Sequence, residues 1–193
     1  MTWMSERTVL KKLAATLAVS MLPVAALAAT IGGIEYAPQY DYREFFTAAD
    51  GKPFRVVLVG NPFPGAAVEQ VAGQLLAQMQ VNKPQPRLTF TYDQPAEQPR
   101  PDYRLVLMFD PANDMGAFSV CAGVKPRFKA GTPGRVYMQA VYCRNDLAMS
   151  QTTAWTDAAG PDDPRLGELF RELFRVVFSD AMGLRPQSGG SLR

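Results

Sequence analysis

The alternation of apolar and polar positions singles out residues 102–155 as the stretch around which the rest of the chain is arranged. Tyr103-Arg104-Leu105-Val106-Leu107-Met108-Phe109 is an almost unbroken apolar run bounded by Pro101 and Asp110-Pro111. Such a run predicts a largely buried strand. Arg135 to Cys143 alternates instead, with Val136, Met138, Ala140 and Tyr142 on one face and Tyr137, Gln139, Val141 and Cys143 on the other. Arg144-Asn145-Asp146 supplies turn chemistry, because Asn and Asp tolerate left-handed backbone and bond to their own chain. Leu147 to Trp155 then alternates again, setting Leu147, Met149, Gln151, Thr153 and Trp155 against Ala148, Ser150, Thr152 and Ala154. Residues 135–155 are therefore expected to form an antiparallel hairpin.

Upstream, Phe54 to Val59 reads as a strand ending at Gly60, and Leu88 to Tyr92 as a short alternating one. Between them Val68, Val71, Ala72, Leu75, Leu76 and Met79 follow helical spacing, so a helix is expected over 66–80, lying on a sheet. A second helix is written more strongly. Leu166, Leu169, Phe170, Leu173, Phe174, Val177 and Phe178 make one wide apolar stripe, with Asp163 placed as N-cap and Pro164 at the first helical position. Gly183 suits its stop, and residues 186–193 read as a disordered tail. Residues 93–102 are polar and proline-rich, a surface loop. Ile31 to Asp50 is aromatic, with Tyr36, Tyr40, Tyr42, Phe45 and Phe46, and is expected to strap one edge of the core rather than to offer a ligand platform.

One helical connection between strands followed by antiparallel pairing predicts an α/β (α+β) two-layer sandwich: a mixed, mostly antiparallel sheet of about five strands with two helices on one face. Residues 29–185 are expected to form this single domain. The element order is similar to that of the amino-terminal domain of the TolB family of envelope proteins. That resemblance covers order alone, with no shared motif, and implies no residue role.

Residues 1–28 have the layout of a secretory signal peptide. Arg7, Lys11 and Lys12 precede the apolar run Leu13 to Leu22, and Ala26-Leu27-Ala28 places small residues before a cut after Ala28. The run is too short to span a bilayer comfortably, which takes about 20 residues; the alternative is an N-terminal anchor left uncleaved. A periplasmic or secreted location follows, with no transmembrane span in the mature chain. The only two cysteines, Cys121 and Cys143, then read as a structural disulfide. It closes a loop of about 23 residues, worth roughly 3 kcal/mol in the chain-entropy account. The whole chain carries 20 basic and 18 acidic residues; without Arg7, Lys11, Lys12 and Glu6 both counts fall to 17, so the remainder is formally neutral. A nucleic-acid partner, which requires a basic footprint, is not expected.

Candidate chemistry is sparse. Gly60-Asn61-Pro62-Phe63-Pro64-Gly65 has the spacing of a phosphate-binding loop, but Ala66 and Ala67 stand where Lys and Ser/Thr are needed, and two prolines remove N–H donors. It reads as a stiff strand-to-helix turn. Asp110-Pro111-Ala112-Asn113-Asp114 lacks the ligand spacing of a calcium loop and reads as a capped turn. The chain has no histidine, which removes His-based acid–base and triad catalysis and His-ligated zinc. No catalytic set, metal site or cofactor is implied. The surface candidate is the most basic segment, with Lys125, Arg127, Lys129 and Arg135 around Phe128, suited to an envelope protein or anionic envelope component. The function expected is thus a non-catalytic exported protein, an envelope accessory or binding protein. The alternative is a small-molecule binding module, or a hydrolase without histidine, that uses the aromatic amino-terminal segment, Tyr40 and Phe45 among it, as pocket wall.

Overall fold

The structure, a computed structural model, describes residues 29–94 and 102–180. The signal segment 1–28, the stop at Gly183 and the tail 186–193 lie outside the described residues. In chain order the elements are β1 (Thr30–Tyr36), α1 (Tyr42–Ala49), β2 (Pro53–Val59), α2 (Val68–Val81), β3 (Thr89–Thr91), β4 (Tyr103–Phe109), α3 (Ala117–Cys121), β5 (Arg135–Arg144), β6 (Leu147–Asp157) and α4 (Pro164–Val177).

The six strands form one sheet in the order β1-β6-β5-β4-β2-β3. β4 pairs antiparallel with β5 and parallel with β2, β5 and β6 form the expected hairpin, and β2 pairs parallel with β3. The α/β sandwich with a mixed, mostly antiparallel sheet is therefore present, with one more strand than expected and two more helices. The extra strand is β1, which pairs antiparallel with β6 where a strap was predicted. The strap also contains α1, capped by the Asp41 side chain, which accepts the Arg43 N–H.

One face of the sheet carries the main core, packed under α1, α2 and α4. Phe45 of α1 stacks on Phe178 at 4.2 Å and meets Phe54 and Tyr142 edge-on at 5.6 Å. These rings bury apolar area where the end of α4 crosses the sheet. Tyr40 and Phe45, at 4% and 0% exposure, are therefore core residues, and the pocket-wall role considered for them is replaced by packing. The opposite face holds a smaller cluster of Val106, Met108, Met115, Val120 and Val141 under α3. There the disulfide joins Cys121 on α3 to Cys143 on β5, with the Cα atoms 5.6 Å apart.

The strict alternation expected for β6 breaks once. Tyr142 pairs with Ser150 but Cys143 pairs with Ala148, so Met149 is the extra residue of a bulge. Met149 turns into the main core beside Ser150, whose hydroxyl donates to the Val177 carbonyl at 2.6 Å. A bulge re-aims side chains in this way. Helix α4 begins as its sequence predicts, with Asp163 accepting the Arg165 N–H at 3.0 Å. No described helix is long and apolar enough to cross a membrane.

Two stability predictions follow. Replacing Cys121 and Cys143 together by Ala should lower unfolding stability by roughly 2–4 kcal/mol in urea titration; an unchanged midpoint would show that the α3 face holds without the link. Asp163 is held well below the usual carboxylate range, first by its side-chain bond to Arg165. The stability it contributes is therefore full above the unfolded value near pH 4 and is lost as pH falls below it. Asp163→Ala should cost about 0.5–2 kcal/mol at pH 7, with the gap to the parent narrowing in acid melts.

Candidate functional site

Ligands of open α/β sheets bind in the crevice beyond the carboxyl ends of parallel strands. β2 and β4 are the parallel neighbours at the middle of this sheet, and beyond their carboxyl ends the described residues form a cleft of about 640 Å³. It is lined by the β2–α2 turn at Gly60 to Pro64, by Phe109 and Asp110 at the end of β4, by residues 128–135, and by Ala158 and Ala159 after β6. A smaller hollow of about 340 Å³, reaching toward Val68 and Leu75 of α2, shares Gly60, Asn61, Pro62 and Phe109 with it.

The turn is shaped as its composition predicts. The Asn61 side chain accepts the Phe63 N–H at 2.9 Å, and the Ala66 N–H donates to the Phe63 carbonyl at 2.9 Å, so the chain folds tightly before α2. Residues 127–129 run back along the chain after β4. Ala112 N–H donates to the Arg127 carbonyl and Lys129 N–H to the Asp110 carbonyl, both at 2.9 Å, and Pro111 and Phe128 form an isolated bridge. Close approach depends on two glycines. Gly60 has φ +89°, and a Cβ there would come within 3.0 Å of the Phe128 ring; a Cβ on Gly131 would lie 2.7 Å from the Asp110 Oδ2.

The four basic residues singled out by sequence are brought to this region but do not form a free cationic patch. Arg127 pairs with Asp114 at 2.7 Å, both side chains more than half exposed. Arg135 donates to Asp157 at 3.2 Å with its guanidinium carbon 4.1 Å from the Trp155 ring centroid. Lys129 places its ammonium 4.2 Å from the centre of the Tyr137 ring. Lys125 is exposed. Lys129 and Arg135 line the cleft; Lys125 and Arg127 do not.

Asp110 is more than a turn residue. The sequence pattern places it in a capped turn; it takes φ 45° at the end of β4 and lines the cleft. Burial raises its pKa from the usual value, and the Lys129 charge opposes that rise. The available signal was an Asp directly after the most apolar strand, followed by Pro. Asp114, the other carboxylate of that turn, is engaged by Arg127. Among the described residues no group of acidic or cysteine side chains converges as a metal site. Away from the cleft, Glu44 takes the Tyr103 hydroxyl at 2.5 Å and Arg144 at 2.9 Å, tying α1 to β4 and β5.

No family model matches the chain. No curated protein matches it. Among solved structures, a PelC dodecamer from Paraburkholderia phytofirmans is 8% identical and superposes with a TM-score of 0.36, over 78% of this chain and 97% of that one. This is a weak likeness in outline.

The seating of Phe128 on Gly60 yields a test. Gly60→Ala meets both a left-handed backbone and the ring, so it should destabilise by roughly 1–3 kcal/mol and shift the Phe128 ring resonances. Unchanged stability and an unmoved ring would contradict this account of how residues 128–135 close on the strand ends.

Proposed function

We propose that the chain is an exported, non-catalytic binding protein of the cell envelope, and that a small ligand enters the cleft between the Gly60–Pro64 turn and residues 128–135. The observation that carries this reading is the position of the cleft, at the carboxyl ends of the parallel strands β2 and β4. Its volume of about 640 Å³ suits a small molecule, for which pockets of about 300–1,000 Å³ are usual. Phe63 and the half-exposed Phe128 offer it apolar wall. Export is supported by the layout of residues 1–28 and by a cysteine pair that persists in oxidising compartments.

The cleft's lining is one of binding groups. Its ionisable side chains are Asp110, Lys129 and Arg135. Binding to an anionic envelope surface through Lys125, Arg127, Lys129 and Arg135 is the weaker reading. Arg127 and Arg135 already meet Asp114 and Asp157, which offsets two of the four charges such a surface would read.

The test is photo-cross-linking in cells, with the reactive side chain placed at Thr132 in the cleft and, as control, at Gln70 on the exposed side of α2. A reproducible adduct of small-molecule mass at Thr132 and none at Gln70 is expected. A protein partner captured by the same side chain placed at Lys125, with Thr132 silent, would overturn the cleft reading in favour of surface docking.

A further inference from the structure

Two described residues other than glycine hold clearly positive φ, Asn145 at 51° and Asp110 at 45°. Asn145 has a structural reason. It turns the β5–β6 hairpin, its side chain accepts the Asp102 N–H at 2.9 Å, and its own N–H donates to the Asp102 carbonyl at 2.8 Å. Asp110 is different. Its backbone is held, since its N–H donates to the Tyr137 carbonyl at 3.1 Å and its carbonyl accepts from Lys129. Its carboxylate makes no hydrogen bond and no ion pair with any described residue.

Three features therefore coincide without a return to the fold. The backbone is one that glycine would adopt freely. The carboxylate is partly desolvated, which opposes its ionisation. The loop facing it has Gly131, where a Cβ would lie 2.7 Å from the Oδ2. Neither cation of the cleft makes a direct contact with the carboxylate: Lys129 lies over Tyr137 and acts on Asp110 only through space, and Arg135 lies over Trp155 and against Asp157.

We infer that Asp110 is the anchor for a cationic amine: the ligand of the cleft presents an ammonium or guanidinium group to Asp110 and an apolar body to Phe63 and Phe128. This rests on the cleft being the binding site. An ionised carboxylate only accepts hydrogen bonds, and a cationic N–H supplies the strongest complement to it. Aromatic rings nearby attract the same charge. An anionic ligand would meet Asp110 as a like charge at close range.

The experiment is an NMR titration of the disulfide-bonded protein with phenethylamine, phenethyl alcohol and phenylacetate, following backbone amides. The amine should move the amides of Asp110, Gly131 and Thr132 and bind at least about tenfold tighter than the alcohol, the size of one charge-assisted contact. Asp110→Asn should remove that advantage and leave the alcohol unchanged, while Lys129→Gln should tighten the amine. Equal binding of amine and alcohol in the cleft would overturn the inference and leave the cleft reading standing. Amides that stay still with every probe, together with a silent Thr132 cross-linker, would overturn both. As a check on the fold, Asp110→Gly and Asp110→Asn should melt at or above the parent temperature. A fall in both would give the carboxylate a structural role and end the proposal.

Discussion

Strand β4 is buried on both faces, and the rest of the molecule follows from that constraint. Leu105, Leu107 and Phe109 point into the main core, while Val106 and Met108 point into the smaller cluster under α3. Neither face can be left to water, since burying each large apolar side chain contributes about 1.5–3 kcal/mol. The three helices α1, α2 and α4 cover one side. On the other side a five-residue helix and a disulfide do the same with less chain. β4 is also where the sheet changes direction, parallel to β2 and antiparallel to β5. The cleft opens at that change, and Asp110 is the first residue beyond the strand.

Much of this was legible along the chain because long periodic elements override local detail. The 103–109 strand, the hairpin and α4 with its Asp163 cap stand where the apolar pattern places them. β1 was hidden by Gly32-Gly33, which interrupt its alternation where its pairing register shifts against β6. α1 was hidden by its rings, because Tyr and Phe are weak helix formers, although Phe45, Ala48 and Ala49 do fall at helical spacing and are its buried residues. α3 is too short for periodicity to announce it. The Met149 bulge was not readable at all, since it depends on which residues the turn at Asn145 brings into register.

The site was only half legible, for an electrostatic reason. Charge counted along the sequence marks Lys125 to Arg135 as basic, but Asp114 and Asp157, distant by that count, return to neutralise Arg127 and Arg135. What the segment contributes is shape, one lining of a cleft whose other lining is the proline-stiffened turn after β2. That turn fails as a phosphate loop for the same reason that it serves as a wall: its prolines donate nothing and hold their place. The cleft is a property of strand ends and glycines rather than of a motif.

The most direct measurement of the central claim is hydrogen–deuterium exchange of the protein with and without the small-molecule fraction of a bacterial envelope extract. The account predicts slowed exchange confined to Asn61, Phe63, Asp110 and the stretch from Phe128 to Arg135, with β1 and α4 unchanged. Slowing along the edge of β1 or over α4, with the cleft amides unaffected, would contradict it.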